Sequence, residues 1–520
     1  MIWRVQDERI VVTAAEQRHI DALALERGAA PDDLIESAGK AAAEWILDHA
    51  TAQRAAVVAG AGGNGADGLV VARWLLEAGI DVRAFLFAPS GPVSEPVDRA
   101  LRRFQAAGGG ATAIDGTDLE VVECALGWAT VAIDGLYGSG LSRPLEGVAV
   151  GIIDLLNRAQ VLTVSLDVPS GIQADVGEVL GPAVKADVTL AMEFLKPAHL
   201  LFPASGLCGN VAVVCVDYPP DALAEVVPWA RVLDRAGVKR RLPPRPPTGH
   251  KGTFGHVLLL AGSRGMVGAA LLAGRSALRA GLGLLTIGIP ASLAATVHAA
   301  LPEAIVVPLA EEGGCLVPEA VAQLAPSFGR VDALAIGPGL SRSEGTCEAV
   351  CAALEAYSGP VVVDADALYA LSRHRETLAA LAGRAILTPH PGELAAFTGA
   401  SATDIDGRRV EEAARFAAGH GVITVLKGRP TVIAFPRGTR YLNRTGNTGL
   451  ATGGSGDVLT GLLVGLVAGG ASLEDAALVG PYVHGAAAEL FSLDRSERSL
   501  VPSDIVELLP RAFREIERCA

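Results

Sequence analysis

The chain has 520 residues, and its 43 Lys and Arg against 57 Asp and Glu give a formal net charge of −14 at pH 7. The length predicts two or more domains, and the acidic balance argues against sequence-independent nucleic-acid binding. Seven cysteines without a Cys-x-x-Cys pair argue against a disulfide framework or a zinc site. The N-terminus lacks a basic and apolar leader, and glycines and a proline interrupt the uncharged run 280–297. We therefore expect a cytoplasmic protein that binds neither nucleic acid nor membranes.

Two helices are predicted at the start of the first half. An amphipathic segment predicts a helix over Ala14–Glu26, and Pro31 followed by two acids predicts a second helix that ends near His49. Short apolar runs then alternate with Ala-rich segments, as strands buried on both faces of a parallel sheet require. The predicted strands are 55–60, 82–87, 129–134, 161–167, 187–192 and 211–217.

A Pro-rich and basic segment separates the two halves. The four prolines within 243–247 cannot continue a helix or a central strand. We place a linker at 219–246, between one domain at 1–218 and another at 247–520. The second domain again alternates apolar runs with helical segments, so both domains are predicted to be α/β. Its predicted strands are 256–262, 284–289, 331–337, 360–366, 385–390 and 422–428.

Three loops at strand ends in the first half combine glycines with polar side chains. The run AGAGGNGADG (59–68) precedes a helix expected to begin near Asp67, and its glycines would let a phosphate approach the backbone. Asp134 ends one later strand, and Asp167 and Ser170 follow the next. A single Asp in such a loop is more often a turn or helix cap than a ligand. Three such loops at the carboxyl ends of strands favour a ligand site.

These loops resemble the NAD(P)HX epimerase family, which interconverts the R and S forms of hydrated NADH and NADPH. The resemblance covers about 10–217 and includes VTAAEQRHIDALA, DLIESAGKAAAEW, GNGADG, IDGLYGSGL, LDVPSGI and EFLKPAH. It implies a Rossmann-like α/β/α sandwich, a potassium ion held by Asn64, Asp134 and Ser170, and Asp167 as a catalytic residue facing the substrate. The substrate contacts that it implies are Gly63, Asn64, Gly65, Ala66, Asp67, Gly138, Ser139, Gly140, Leu141, Ser142, Arg143, Pro144 and Asp167.

The chain departs from the family pattern at three positions of these loops. Gly63 replaces an expected Asn, Ala66 an expected Gly, and Gly135 an expected Ala. The change at Gly63 removes a side chain that could bond the substrate. Lys196, in the EFLKPAH segment, has two open interpretations, a position near the site or a solvated surface.

The stretch NTGLATGGSGDVLTGLLVGLVAG (447–469) predicts the main site of the second half. The small residues 448–456 can form an anion-binding concavity from backbone N–H groups, and a helix starting near Gly456 would point its positive end at the same place. Asp457 in the first turn could stabilise the helix dipole or serve as a general base. Phosphoryl transfer to a hydroxyl needs both an anion hole and a proton acceptor, and the surrounding Gly and Ser residues favour that second role.

The GGSGD pattern resembles the ribokinase superfamily. KGTFGHVLLLAGS, GAALLAGRSALRAGLGLLTIG, IGPGL, DADAL, TPHPGE and LKGRPT occur in the order seen in the ADP- or ATP-dependent NAD(P)HX dehydratase family, over about 248–515. The resemblance implies a ribokinase-like α/β/α domain in which Ala269, Gly339, His390 and Asp457 contact the hydrated nucleotide, with Asp457 as catalytic base. The residues implied to hold the adenine nucleotide, which would bind with Mg²⁺, are Lys427, Gly428, Arg429, Pro430, Thr431 and Gly456.

Several of these side chains also have structural interpretations. His390 could be a rigid turn residue between two prolines, and Lys427 a surface charge at a strand end. Their common position at strand ends of one sheet favours binding instead. Asp364 and Asp366 could ligate magnesium or cap the following helix, and capping is favoured.

The resemblances together predict a bifunctional repair enzyme, an isomerase joined to a lyase. It would epimerise R and S NAD(P)HX and would dehydrate the S form through phosphorylation of the hydroxyl, with ADP favoured over ATP as the phosphate donor. One alternative is a kinase for a hydroxymethyl heterocycle fused to a non-catalytic nucleotide-binding or scaffold domain; retention of Asn64, Asp134, Asp167 and Ser170 weighs against a scaffold. Small-molecule partners and a homo-oligomer are expected.

Overall fold

The computed structural model describes residues 8–88, 91–116 and 119–519. The chain divides into two compact units. We call Arg9–Ala230 the N-terminal unit, and we call 231–519, together with Glu8, the C-terminal unit. Within the described ranges, no helix is both long enough and apolar enough to cross a membrane.

The N-terminal unit alternates strands and helices. Its strands are β1 (Glu8–Val11, whose first residue belongs to the other unit), β2 (Arg54–Gly60), β3 (Asp81–Phe87), β4 (Ala111–Ile114), β5 (Val131–Gly135), β6 (Leu162–Leu166), β7 (Val188–Met192) and β8 (Asn210–Val214). Its helices are α1 (Ala14–Glu26), α2 (Pro31–His49), α3 (Gly63–Glu77), α4 (Glu95–Ala106), α5 (Leu119–Trp128), α6 (Val148–Arg158) and α7 (Pro220–Ala224).

The N-terminal sheet has the order β4-β3-β2-β5-β6-β7-β8, and all neighbouring strands are parallel. Successive residues of a strand point to opposite faces. Ala55, Val57 and Ala59 of β2 accordingly join a core with α2, α3 and α4, while Ala56 and Val58 join a second core with α5 and α6. The unit is therefore an α/β/α sandwich.

The C-terminal unit has a larger sheet and more helices. Its strands are β9 (Ala230–Leu233, whose first residue belongs to the other unit), β10 (His256–Leu260), β11 (Leu284–Pro290), β12 (Ile305–Leu309), β13 (Glu311–Glu312), β14 (Cys315–Leu316), β15 (Ala333–Ile336), β16 (Val361–Val363), β17 (Ala385–Leu387), β18 (Ile423–Leu426), β19 (Thr431–Ala434) and β20 (Arg440–Asn443). Its helices are α8 (Arg235–Arg241), α9 (Val267–Arg279), α10 (Ala294–Ala300), α11 (Ala320–Phe328), α12 (Glu344–Ala356), α13 (Ala365–Arg373), α14 (Arg375–Ala379), α15 (Pro391–Thr398), α16 (Ala402–Gly407), α17 (Arg409–His420), α18 (Ser455–Ala468), α19 (Leu473–Phe491) and α20 (Pro502–Glu517).

The C-terminal sheet has the order β9-β20-β19-β18-β17-β16-β15-β10-β11-β12. Neighbouring strands from β18 to β12 are parallel, whereas β18, β19 and β20 pair antiparallel. Val257, Leu259 and Ala261 pack in a core with residues of α9, α18, α19 and α20. The prediction of two α/β domains is confirmed.

All twelve predicted strands are present, with small differences at their ends, and α1 and α2 have the predicted bounds. The strands that were not predicted are β1, β4, β9, β12, β13, β14, β19 and β20. β4 has a single buried residue, Ile114, and β20 begins and ends with polar, half-buried residues. These two strands lack the continuous apolar run that a strand buried on both faces requires.

Glu8 and the second part of the predicted linker contribute to the C-terminal unit. The Glu8 carboxylate accepts hydrogen bonds from Arg231 Nη1 at 3.0 Å, Arg241 Nη2 at 2.5 Å and the Tyr441 hydroxyl at 3.0 Å. The predicted linker contains α7, β9 and α8, and Val238 of α8 is fully buried in the C-terminal core. The units divide at 230/231, compared with the predicted boundaries at 218 and 247.

Separate fragments test these boundaries. Fragments 1–217 and 248–520 should each fold, because each retains a core of its own. The second should nevertheless be less stable than 231–520 by about 2 kcal/mol or more, since it lacks β9 and α8 with buried Val238. Urea unfolding followed by circular dichroism measures the difference. Equal midpoints for the two C-terminal fragments would show that 231–247 adds no stability.

Candidate active sites in the two units

A cavity of about 800 Å³ lies in the N-terminal unit. The sheet order reverses between β2 and β5, and the loops after these two strands line the cavity. Such a reversal is where open α/β sheets bind ligands. The predicted residues that line the cavity are Gly63, Asn64, Asp67, Gly138, Ser139, Gly140, Leu141, Ser142, Arg143 and Asp167, whereas Gly65, Ala66 and Pro144 are not part of its wall.

The glycine-rich loop after β2 leads directly into α3. The helix begins at Gly63, four residues before the predicted start, so Asn64 and Asp67 lie at its N-terminal end. Gly65 allows this tight entry, because a Cβ there would lie 1.8 Å from the Gly60 carbonyl oxygen. The first turn of a helix presents backbone N–H groups, which suit an anionic ligand.

Asp134 and Ser170 form a buried polar pair beside Asn64. Asp134 accepts hydrogen bonds from the Ser170 hydroxyl at 2.5 Å, the Ser170 N–H at 2.9 Å and the Ser165 hydroxyl at 2.8 Å. Burial raises the pKa of Asp134, and these hydrogen bonds oppose the increase. Both polar atoms of the Asn64 amide are buried without a hydrogen-bond partner among the described residues. An unsatisfied buried amide is unusual in a folded protein.

Asp167 lies between the cavity and a buried lysine. Its Oδ1 atom is 3.2 Å from Lys196 Nζ, and its Oδ2 accepts a hydrogen bond from the Ser139 N–H at 3.1 Å. Burial would raise the pKa of Asp167, but the positive charge of Lys196 and the hydrogen bonds from Lys196 and Ser139 hold it below the ordinary value. The Lys196 side chain is 1% exposed, so the interpretation as a solvated surface lysine is wrong.

A second carboxyl group of the cavity, that of Asp67, has a raised pKa where that of Asp167 is lowered. Burial raises the pKa of Asp67 to about 8, and the negative charges of Asp167 and Asp21 add to the increase. The cavity therefore pairs a carboxylate that stays ionised with a carboxyl group that stays protonated near neutral pH. Environments that separate two pKa values in this way are typical of acid–base sites.

Several residues of the cavity wall were not predicted, and three of them form a hydrogen-bonded group. The Tyr218 hydroxyl donates to Asp21 Oδ1 at 2.6 Å, and the Gln17 amide donates to both Asp21 at 3.0 Å and Tyr218 at 2.7 Å. Gln17 and Asp21 lie on α1, whose polar face resembles any solvent-exposed helix face. Tyr218 precedes two prolines at the predicted boundary. The sequence around Gln17, Asp21 and Tyr218 therefore gives no indication of a ligand.

In the C-terminal unit, the predicted anion-binding run leads into α18. Gly454 precedes the helix with φ of 95°, a left-handed conformation that favours glycine. Asp457 lies in the first turn, and burial together with the charge of Asp364 raises its pKa to about 7. The neutral imidazole of His484 contacts Ser455 at 3.3 Å, and burial lowers its pKa to about 4.

A buried ion pair adjoins this helix end. Lys427 Nζ is 2.7 Å from Asp364 Oδ1 and 3.7 Å from Glu393 Oε2. Burial disfavours the charged form of Lys427 and would lower its pKa. The negative charges of Asp364 and Glu393 have the larger effect and raise the pKa above the ordinary value. Asp364 also accepts a hydrogen bond from Thr460 at 2.7 Å and makes no side-chain cap. The predicted capping role of Asp364 is therefore wrong, because its carboxylate pairs with the buried Lys427 and not with the N–H groups at the start of α13.

Asp366 does not point into this cluster. Its carboxylate accepts from the Ser341 N–H at 2.9 Å and from Arg342 Nε at 2.9 Å. In the part of the chain that the structure describes, no group of three His, Cys, Asp or Glu side chains could hold a metal ion. A magnesium ion at this site would therefore take most of its ligands from phosphate and water, as magnesium often does.

Of the remaining predicted substrate contacts, Gly339 and His390 follow strands β15 and β17, and Ala269 lies in the first turn of α9. Gly339 has φ of 62°, and a Cβ there would lie 2.9 Å from the Ala269 Cβ, so these two residues touch. His390 caps α15, because its Nδ1 accepts from the Gly392 N–H at 3.0 Å and the Glu393 N–H at 3.3 Å. The turn interpretation of His390 thus has structural support, while its ring remains half exposed.

The predicted nucleotide segment connects β18 to β19. Buried Arg409, which sequence reasoning missed, donates to the Pro430 carbonyl and, at 3.4 Å, to the Lys427 carbonyl. It also pairs with Asp406 at 2.7 Å. A Cβ at Gly428 would lie 2.0 Å from Arg409 Nη2, so the guanidinium supports the segment from behind.

Two family models match the chain. One, described as NAD(P)H-hydrate dehydratase, matches residues 257–511, and the other, described as YjeF-related protein N-terminus, matches residues 31–198. A relative from Moorella thermoacetica, named bifunctional NAD(P)H-hydrate repair enzyme Nnr, is 37% identical over 514 residues, which cover 98% of this chain and 97% of the relative. The chain belongs to the family of bifunctional NAD(P)H-hydrate repair enzymes.

Further similarities fall within this family. A repair enzyme of the same name from Thermofilum pendens is 35% identical over 512 residues, covering 97% of this chain and 96% of the relative. The ADP/ATP-dependent NAD(P)H-hydrate dehydratase of Bacillus subtilis, co-crystallised with ATP and Mg²⁺, is 38% identical. It covers 55% of this chain and 98% of its own length, with a TM-score of 0.47.

These matches confirm the predicted family. They also confirm the predicted fold class, a Rossmann-like N-terminal and a ribokinase-like C-terminal α/β domain. The alternative of a heterocycle kinase fused to a scaffold is not favoured, because relatives that match nearly the full length are named repair enzymes. Gln17, Asp21 and Tyr218 lie outside the matched range 31–198 and still line the cavity. The wall of this cavity therefore extends beyond the segment that the family model matches.

Proposed function

We propose that the chain repairs hydrated NADH and NADPH with two activities: epimerisation of the R and S forms in the N-terminal unit, and nucleotide-dependent dehydration of the S form in the C-terminal unit. The observation that carries this proposal is a pair of separate carboxylate sites, one in each unit. Asp167 adjoins buried Lys196 in the N-terminal cavity. Asp457 lies in the first turn of α18. The preceding residue, Gly456, lies close to Lys427, because a Cβ at this glycine would be 3.5 Å from Lys427 Nζ.

A coupled assay on the full chain tests both activities. Hydrated NADH with both epimers is incubated with ADP or with ATP, the return of 340-nm absorbance reports dehydration, and chromatography reports epimer exchange. We expect both epimers to be consumed, because exchange feeds the dehydratase. A heterocycle kinase would instead give a stable phosphoester and no absorbance. Comparison of the rates with ADP and with ATP tests the proposed preference for ADP. Comparison of the rates with hydrated NADH and with hydrated NADPH gives the substrate preference.

The carboxyl groups of the N-terminal cavity support an acid–base mechanism. Protonated Asp67 can donate to the hydroxyl on carbon 6 of the hydrated ring, which leaves as water while the ring nitrogen lone pair forms a C=N bond. Water then adds to the opposite face and gives a proton to ionised Asp167. Return of that proton to Asp67 through solvent restores the site.

A potassium ion fits the polar pair beside this cavity. Hard cations take oxygen ligands, and the Asn64 amide oxygen, the Asp134 carboxylate and Ser170 provide them. The unpartnered, buried Asn64 amide supports this assignment. A Cβ at Gly138 would lie 3.1 Å from Asn64 Cγ, and the Tyr137 N–H donates to Ser170 at 2.8 Å. A bound ion would therefore order the loop that carries residues 138–144.

Replacement of Asp134 by Asn should abolish the response to potassium. Asn keeps the volume but removes the charge, so KCl should raise the melting temperature of the wild type more than NaCl does, and should not do so in Asp134→Asn. Epimer exchange should fall, while dehydration of the S form should not change. An identical response of both proteins to KCl would remove Asp134 from the ion site.

The start of α18 supports phosphoryl transfer to the substrate hydroxyl. Asp457 accepts the hydroxyl proton as the oxygen attacks the terminal phosphorus of the nucleotide, and the backbone near Gly456 with Lys427 neutralises the phosphate charge. The phosphate then leaves carbon 6 with loss of a proton from carbon 5, which restores the dihydropyridine. Residues 427–431 would hold the nucleotide, which would bring Mg²⁺ with its phosphates.

The remaining parts of the proposal concern assembly and location. The seven cysteines of the sequence include no Cys-x-x-Cys pair, which supports a reducing, cytoplasmic environment. We propose a homo-oligomer whose partners are small molecules. Light scattering of the purified chain measures its mass, and a mass of one chain would contradict the oligomer.

A further inference from the structure

The strand-end residue Asp167 is held from three sides. Lys196 Nζ bonds its Oδ1 at 3.2 Å, and His199 Nε2 bonds its carbonyl oxygen at 2.8 Å. The Ser139 N–H bonds the other carboxylate oxygen at 3.1 Å. Asp167 has φ of 63°, a left-handed conformation that is uncommon for a residue with a side chain. The backbone and the side chain of Asp167 are thus fixed together.

Lys196 acts from behind the cavity rather than inside it. Its side chain is 1% exposed, it does not line the cavity, and its Nζ also donates to the Phe194 carbonyl at 3.3 Å. The Lys196 N–H donates to His199 Nδ1 at 3.0 Å, so the proton of the neutral ring is on Nε2, which donates to Asp167. Lys196 and His199 therefore form a closed set of contacts around Asp167, which we call the Asp167 clamp.

We propose that Lys196 and His199 are positioning residues of the epimerase, which hold the Asp167 carboxylate ionised and directed toward the substrate. This inference rests on the proposed epimerase function. Because Lys196 cannot reach the substrate, its effect must pass through Asp167. Its loss should therefore change the rate and the pH dependence of the reaction much more than the affinity for substrate.

The charges around Asp167 determine the direction of the pH effect. Lys196 and His199 face it from behind, and Asp67 and Tyr218 act on it from the cavity side. Without the lysine, burial and the carboxyl group of Asp67 both disfavour the ionised form, so the pKa of Asp167 rises. A base is active above its pKa. The activity of a Lys196 variant should therefore decline at a higher pH than that of the wild type as the medium is acidified.

Epimer exchange by the full chain, measured by chromatography across a pH series, tests the clamp. At neutral pH, Lys196→Met should lower kcat by about 10²-fold, the loss expected when a reacting group is misplaced. KM should stay near the wild-type value, and the activity should recover as the pH rises. Lys185→Met, which removes an exposed lysine of the same unit, is the matched control and should behave as wild type.

A second variant separates positioning from simple loss of stability. Removal of one partner leaves a buried charge unpaired and can prevent folding, whereas removal of both charges is better tolerated. The double variant with Lys196→Met and Asp167→Asn should therefore fold. Its activity should equal that of Asp167→Asn alone, because the lysine acts only through the aspartate. A further 10²-fold loss in the double variant would overturn the proposal, as would an unchanged pH profile in folded Lys196→Met. A wild type that exchanges no epimers would instead contradict the proposed epimerase itself.

Discussion

Replacement of Asp457 by Asn should lower the dehydration rate by about 10²–10⁴-fold, the usual contribution of a general base. Asn has the same size and can occupy the first turn of α18, so the variant should fold and bind the adenine nucleotide. It cannot accept the hydroxyl proton. Epimerisation should persist, because Asp167 and its cavity belong to the other unit.

Both activities are measured on one preparation of Asp457→Asn, dehydration by recovery of absorbance and epimer exchange by chromatography. Glu474→Gln is the matched control, since Glu474 is an exposed acid in the first turn of α19 and its change alters a helix dipole without touching the site. An undiminished dehydratase would remove Asp457 from the mechanism. Loss of both activities in a folded variant would contradict the separation of the two sites.

The same carboxyl group should control the pH dependence of dehydration. Burial and Asp364 raise the pKa of Asp457 to about 7, and Lys427 opposes them. A general base must be ionised, so the rate should increase as the pH rises through about 7 and should level off above it. In Asp457→Asn this rise should disappear from the residual rate. A wild-type rate that is already constant well below neutral pH would contradict the assignment.

Replacement of Gly456 by Ala should lower the dehydration rate by about 10²–10³-fold, as the loss of one donor to a developing charge does. A Cβ at this position would lie 3.5 Å from Lys427 Nζ and 3.7 Å from Asp364 Oδ2, which are ordinary contact distances. The methyl group therefore fits the protein without ligand. It occupies space through which a phosphate would approach the backbone, so the cost should appear in nucleotide binding and turnover.

Melting temperature and steady-state kinetics distinguish these effects. Gly456→Ala should melt near the wild-type temperature, with weaker nucleotide binding and a lower rate. Gly419→Ala provides the matched control, because Gly419 lies on α17 with open space around its Cβ position. Near-normal nucleotide affinity and turnover in Gly456→Ala would show that the glycine serves only the turn.

The pattern of apolar runs was sufficient to locate the main strands and the loops of both sites. β2, β5 and β6 are buried along almost their whole length, so their sequences could only form the interior of a parallel sheet. Short edge strands such as β4 and β20 could not be located in this way, because one or two buried residues do not form a periodic pattern. The same limit hid β9 and α8 within a segment that its prolines marked as a linker.

The sequence by itself determined the two α/β units, the strand-end positions of Asp134 and Asp167, the position of Asp457 in the first turn of a helix, and the family to which they point. Only the tertiary structure decided which charges meet. Lys196 could not be assigned to Asp167, nor Asp364 to Lys427 instead of a helix cap, because these partners are 29 and 63 residues apart and lie after different strands. Parallel strands bring such loops to one edge of a sheet, and burial there determines which carboxyl groups stay ionised.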